Sequence, residues 1–111
     1  MSHQVQLTFD TEFVDFGKVK RGEKREYTFH FTNSGTVPIE IDLISSCDCT
    51  TVEWAEGRVY KPGDEGQLHA IFDSTEKEES ETVDIDVILK NSDPAGNPIF
   101  YILQYKFELV Q

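Results

Sequence analysis

Apolar side chains recur at every second position along almost the whole chain, and turn-forming residues interrupt the runs at short intervals. A period of two marks β-strands with one wet face, whereas a helix needs apolar residues three and four apart, and no stretch supplies them. Val5, Leu7 and Phe9 alternate with Gln6, Thr8 and Asp10. Residues 12–19 set Phe13, Phe16 and Val19 around Gly17, which reads as an edge strand with a bulge. Tyr27, Phe29 and Phe31 form an aromatic face opposite Glu26, Thr28, His30 and Thr32. Asn33-Ser34-Gly35-Thr36 then reads as the turn of a hairpin into Val37, Ile39, Ile41 and Leu43. Pro38 cannot donate to a ladder, so it is expected at that strand's start or on an unpaired edge.

Residues 54–60 offer one short strand at most, ended by Lys61-Pro62-Gly63-Asp64, a tight turn. Leu68, Ala70 and Phe72 alternate with Gln67, His69 and Ile71, and Val83, Ile85, Val87 and Leu89 alternate with Thr82, Asp84, Asp86 and Ile88. The last run, 99–110, is apolar on both faces in its first half, Ile99-Phe100-Tyr101-Ile102-Leu103. That pattern fits a central strand or a surface shared with another subunit. About seven to nine strands in 111 residues point to a single antiparallel immunoglobulin-like β-sandwich spanning residues 1–111, with a closed barrel as the alternative. Residues 1–4 read as a frayed or cloning-derived end.

With 10 Lys+Arg against 21 Asp+Glu the formal net charge is −11. Nucleic-acid binding is built on clustered cations, so a nucleic-acid partner is excluded. No segment approaches the roughly 20 apolar residues of a transmembrane helix, and the N-terminus lacks the basic and apolar regions of a signal peptide. The stretch 73–86 holds seven acids and one lysine, so 1 − 7 places −6 of the total here. It reads as a solvated loop and strand face. A calcium site would need ligands converging from separate loops, since the spacing of a helix-loop-helix calcium loop is absent.

Three segments carry a family resemblance: Val14-Asp15-Phe16-Gly17-Lys18-Val19-Lys20-Arg21-Gly22-Glu23, Tyr27-Thr28-Phe29-His30-Phe31-Thr32-Asn33-Ser34-Gly35 and Ser46-Cys47-Asp48-Cys49-Thr50. In this order and spacing they resemble the bacterial family called domain of unknown function 1573, whose members read FDFG-x-V-x-x-G-E, F-x-F-x-N-x-G and SCGCT, followed by a Pro-Gly turn and a late Asn/Ser-Asp-Pro turn. Lys61-Pro62-Gly63-Asp64 and Asn91-Ser92-Asp93-Pro94 match the last two. The resemblance implies an Ig-like sandwich related to ASH and major-sperm-protein domains, no known reaction, and a periplasmic or cell-surface location. Asp48 stands where the family usually has Gly, and Asp is among the residues tolerated at φ > 0.

Cys47 and Cys49 are the most chemically suggestive pair, because two close thiolates can bind a soft metal or exchange with a disulfide. Against this, zinc sites use four ligands and no second Cys pair or spaced His pair accompanies them. Thioredoxin-like motifs space their cysteines by two residues at a helix N-terminus. Two residues apart on an extended segment, both can simply pack as small hydrophobes. His30, His69 and His3 read as solvated surface. Trp54 and Tyr60 flank a short loop and are candidate partner anchors, together with Cys47, Asp48 and Cys49. The function read from these observations is a non-catalytic binding or structural module needing no cofactor. It would contact proteins through a sandwich face, or through an edge strand that could also pair two copies. The competing readings are a thiol-redox or metal-binding protein using Cys47 and Cys49, and a carbohydrate-binding module using an exposed Trp54 or Tyr60. If the aromatic face of residues 27–31 is the core face, Phe29→Ala costs about 3–5 kcal/mol in chemical denaturation; a loss under about 1 kcal/mol refutes the assignment.

Overall fold

The structure, a computed structural model, describes residues 4–110. Nine strands run in order: β1 (Leu7–Phe9), β2 (Phe13–Lys20), β3 (Lys24–Asn33), β4 (Ile39–Ser45), β5 (Thr50–Glu53), β6 (Val59–Tyr60), β7 (Glu65–Asp73), β8 (Glu81–Ser92) and β9 (Pro98–Val110). They build a four-stranded sheet, β1-β3-β7-β5, facing a five-stranded sheet, β2-β9-β8-β4-β6. This is the expected Ig-like sandwich. All pairings are antiparallel but one, because β2 runs parallel to β9. A parallel pair cannot be closed by a tight hairpin, and these two strands are joined through the rest of the fold.

The inner faces follow the period-two pattern. Phe29, Phe31, Leu68 and Phe72 from one sheet meet Val83, Ile85, Val87, Leu103, Tyr105 and Phe107 from the other, all buried. Phe72 is the junction, with ring centroids 4.5 Å from Phe107 and 5.1 Å from Tyr105. Tilted aromatic contacts of this kind add about 0.5–1.5 kcal/mol each beyond burial.

Two strands break the alternation. In β2 the register to β9 shifts between Asp15 and Lys18, where Gly17 takes φ 70° and donates its N–H to Asp15 Oδ1 at 2.8 Å. A left-handed backbone there favours glycine, and β2 is an edge strand with a bulge, as its sequence suggests. In β4 the shift falls between Ile41 and Leu43. Strict alternation would put Leu43 inside with Ile39 and Ile41; the extra residue turns Leu43 out, 53% exposed, and sends Ile44 toward the core.

The expected β3–β4 hairpin does not form. Asn33–Pro38 carries the chain from one sheet to the other, and β4 pairs with β8 and β6. Asn33, 1% exposed, explains the change. Its Nδ2 donates to the carbonyls of Val37 and Tyr60, each at 2.9 Å, and its Oδ1 accepts the Gly35 N–H at 3.0 Å. Its backbone N–H and C=O pair with Asp64 and Gly63 of the Pro-Gly turn at 2.9 and 2.8 Å. Beside it, the Ser34 and Thr36 N–H groups donate to the Gln6 and Gln4 carbonyls. A Cβ on Gly35 would collide with the backbone of Gln4. Gln4 itself is hydrogen-bonded to Thr36 through its own N–H at 2.8 Å; residues 1–3 lie outside the described residues.

A second polar knot, Ser74, closes the opposite end. Its buried hydroxyl donates to the Glu23 carbonyl at 2.6 Å and accepts the Gly22 N–H at 2.9 Å, tying the Lys20–Glu23 turn to the end of β7. The β8–β9 connection is a true hairpin, in which Asp93 Oδ1 accepts the N–H groups of Ala95 and Asn97, each at 2.9 Å. Asn33→Ala should cost about 2–4 kcal/mol in urea denaturation, because it leaves buried carbonyls unpaired. Ser34→Ala, at an exposed site, should stay within about 0.5 kcal/mol; equal losses for the two would dismiss Asn33 as the crossover lock.

Candidate functional site

The segment between β4 and β5 is anchored before any chemistry is considered. Ser46 Oγ donates to the Asp84 carbonyl at 2.8 Å, the Thr50 N–H to the Cys47 carbonyl at 3.0 Å, and the Asp73 N–H to the Cys49 carbonyl at 2.9 Å. Within this frame Cys47 and Cys49 form a disulfide, with Cα atoms 5.2 Å apart. Both are half-buried at the margin of the core. Of the three roles open to them in the sequence, the structure displays the bonded pair, in which neither sulfur is a thiolate ligand. Among the described residues no non-glycine residue has positive φ, so Asp48, exposed between the two, occupies an ordinary backbone conformation.

Two hydroxyls lie behind the sulfurs. Thr50 Oγ1 is 3.3 Å from Cys47 Sγ and 3.6 Å from Cys49 Sγ. Tyr105 Oη is 2.6 Å from Thr50 Oγ1 and 3.5 Å from Cys49 Sγ. Burial pushes the Tyr105 phenol up to about 12, against the pull of the Thr50 hydrogen bond. In front of the sulfurs opens a groove of about 370 Å³ walled by Asp48, Asp73, Glu76 and Lys77. The Thr75 hydroxyl and N–H, at 2.6 and 3.0 Å, hold the Asp73 carboxyl below its usual range.

The other candidates fare unevenly. Tyr60 is 1% exposed and packs edge-on against Phe31, with the Arg58 guanidinium 5.0 Å above its ring. It is a core residue, not a partner anchor, because β6 pairs with β4 and carries it inward. Trp54 is half-buried against the core and borders a wider groove with Arg58, Glu65, His30 and His69 on the outer face of the four-stranded sheet. His69 is not simply solvated: Nε2 lies 2.8 Å from Glu26 and Nδ1 3.1 Å from Glu53. His30 is exposed, and His3 lies outside the described residues.

Of the two readings the sequence left open for the start of β9, the structure shows a central strand with an open outer face, and it moves Leu43 from the expected inner face to the outer one. On the outer face of the five-stranded sheet, Leu43, Ile88 and Phe100 stand in one row across β4, β8 and β9. Ile102 is the next outward residue on β9, and Phe13 pairs with Gln104 one step further on. Phe100 is 57%, Ile102 44% and Phe13 47% exposed. The apolar start of β9 is therefore not explained by central burial: β9 is central in its hydrogen bonding, yet its outer face is open. Carboxylates flank the Leu43–Ile88–Phe100 row, whereas at Phe13 the Lys106 ammonium, 3.6 Å from Asp15, lies 6.0 Å from the ring centroid. Asp84 accepts from Gln104 Nε2 at 2.8 Å, and among the described residues neither Asp86 nor Asp42 joins an ion pair. Only the β4 bulge, invisible to a period-two count, brings Leu43 into this row.

Comparison with known proteins places this architecture. The family model described as "Protein of unknown function (DUF1573)" matches residues 7–99. No curated protein sequence matches the chain. A protein of unknown function from Porphyromonas gingivalis W83 superimposes with a TM-score of 0.73 at 21% identity, over 93% of this chain and 46% of that one. The VesB protease of Vibrio cholerae gives 0.71 at 15% identity, over 93% of this chain and 32% of that one. The human CEP192 ASH/PapD-like domain gives 0.64 at 14% identity, over 99% and 95%, and the periplasmic chaperone SfaE gives 0.57 at 13% identity, over 96% and 60%. The chain thus spans a third to a half of the first two structures, and at these identities the likeness is one of fold.

Tyr105 holds its proton more tightly folded than unfolded, so its contribution to stability is complete below about pH 10 and is lost as pH rises toward 12. Melting temperature should fall over that window, and less steeply in Tyr105→Phe; parallel curves for the two proteins would discard the assignment.

Proposed function

The chain belongs to the DUF1573 family, and from that premise we propose that it is a non-catalytic protein-binding module of the bacterial envelope that docks a basic, partly apolar segment of another protein on the outer face of its five-stranded sheet. The observation that carries this reading is the open apolar row Leu43, Ile88 and Phe100, with Ile102 beside it. Contiguous exposed apolar surface on a sheet costs solubility and commonly marks an interaction site. The flanking acids select the occupant. A second copy seated face to face would bring Asp42, Asp84 and Asp86 against their own kind, at a chain charge of −11, whereas a Lys- or Arg-bearing segment would be drawn in.

The edges are weaker templates. β1 has 3 residues, β5 has 4 and β6 has 2, and β2 is bulged. Short or bulged edges resist strand addition, which favours the face over an edge as the docking surface and counts against pairing of two copies through an edge. The envelope location rests on two supports: the disulfide, which persists in oxidising compartments, and structural neighbours whose names include a periplasmic chaperone and a secreted protease.

The test uses short peptides alternating Lys with Val or Glu with Val, titrated into ¹⁵N-labelled protein. The Lys-Val peptide should shift amide signals of residues 43, 88, 100 and 102, with affinity falling as salt rises, and the Glu-Val peptide should not. The double variant Phe100→Ser/Ile102→Ser should lose those shifts while its stability stays within about 0.5 kcal/mol of the parent. Shifts elsewhere, or equal responses to both peptides, would remove the face as the docking surface.

A further inference from the structure

We infer that the Cys47–Cys49 disulfide is an exchange site that accepts two electrons from a neutral or cationic dithiol, rather than a staple of the fold. A cross-link constrains the unfolded chain in proportion to the logarithm of the loop it closes, and this one spans a sequence separation of 2. It sits near the lower limit of what a disulfide can contribute by that route. The loop is meanwhile held by hydrogen bonds that do not need it, from Ser46 to Asp84, Thr50 to Cys47 and Asp73 to Cys49. A bond with little structural duty, half-buried and bordering an open groove, has the accessibility that exchange requires.

The two sulfurs are not equivalent. Thr50 Oγ1 is within hydrogen-bonding reach of both, but Cys49 Sγ has Tyr105 Oη as a second neighbour at 3.5 Å. Because burial keeps the Tyr105 phenol protonated, with its value pushed up to about 12, its O–H remains a donor wherever the fold is stable. Thr50 and Tyr105 carry one hydroxyl proton each and share one in their 2.6 Å hydrogen bond, so a thiolate forming on Cys49 is met by the Tyr105 O–H with the Thr50 hydroxyl behind it, and the better-stabilised thiolate is the better leaving group. This directs attack to Cys47. The partner thiolate bonds to Cys47 Sγ as the Cys47–Cys49 bond breaks, and the electron pair goes to Cys49 Sγ. The partner's second thiol gives its proton to solvent and attacks the partner sulfur of the mixed disulfide, releasing Cys47 as thiolate. Protons from solvent then complete two thiols here, the partner leaves as a disulfide, and two electrons have been transferred.

The walls choose the donor. Asp48, Asp73, Glu76 and Lys77 line the groove, and the Lys77 ammonium is paired with Glu81 at 3.0 Å, so the carboxylates outweigh it. Negative potential at the entrance repels a thiol carrying its own carboxylate and favours one beside an ammonium or guanidinium group.

The experiment measures thiol-exchange rates of the native protein with cysteamine and with 3-mercaptopropionate, compared per thiolate, by acid quenching, alkylation and intact mass, with circular dichroism reporting the fold. Cysteamine should react about tenfold faster at low salt, a difference of about 1.4 kcal/mol, and the gap should close as salt rises. Thr50→Val should slow both reagents several-fold, and Asp73→Asn should narrow the preference without slowing 3-mercaptopropionate. Exchange only after unfolding, equal rates for the two thiols, or a Thr50→Val rate equal to the parent's would each overturn the inference; the first makes the bond structural.

Discussion

A β-sandwich must at some point carry its chain from one sheet to the other without stranding backbone polar groups in the core, and here that demand falls on Asn33. Every hydrogen-bonding group it has is engaged, on the crossover, on β6 and on the Pro-Gly turn. The carbonyls its side chain satisfies belong to Val37 on the crossover and Tyr60 on β6, and a buried unpaired carbonyl costs about 1–3 kcal/mol. The Asn33 bond to the Tyr60 carbonyl ties β6, which carries the Tyr60 ring inward, to the same joint. Gly35 is confined to glycine because the N-terminal segment passes against it. The spaced Asn and Gly of the family pattern are thus parts of one joint, and Ser74 with the Lys20–Glu23 turn is its counterpart at the other end.

Between those joints the core is an aromatic junction, with Phe72 set among Phe16, Tyr105 and Phe107. Departures from regular pairing fall on β2, where Phe16 sits within the shift and reaches that junction, on β4, and between β8 and β9 ahead of Ser92. The β2 bulge interrupts an exposed edge, which protects a sheet from unwanted strand addition. The β4 bulge has the larger consequence, because it converts an inward leucine into part of a surface row shared with β8 and β9. A one-residue insertion in a strand is enough to do this, since successive side chains alternate between faces.

The two surfaces singled out for function share a support. Ser46 hangs the disulfide loop on the backbone of β8 at Asp84, whose own side chain points outward beside the apolar patch and accepts from Gln104. Tyr105 spans the core beneath, with its hydroxyl under the sulfurs. Binding on the outer face and exchange at the disulfide are therefore separate proposals mounted on neighbouring strands, and both select positively charged partners because both are rimmed by carboxylates.

Periodicity alone was enough to specify strands, sandwich class, the edge character of β2 and the inward faces of β3, β7 and β8, because alternation of apolar residues is a local property tied to pleat geometry. The motif residues were legible as a family pattern, but their work was not: that Asn33 bonds to Tyr60, or that Tyr105 lies behind Cys49, depends on contacts between residues far apart in the chain. The hairpin expected at Asn33–Thr36 failed for the same reason, since turn-forming residues report that the chain bends and not which sheet it bends into. Likewise Leu43, Phe100 and Ile102 look like core in one dimension. Only the register of β4, β8 and β9 decides that they stand together on an open face, because burial is settled by which strands pair and which layer covers them, and this chain has no layer over that side of its larger sheet among the described residues.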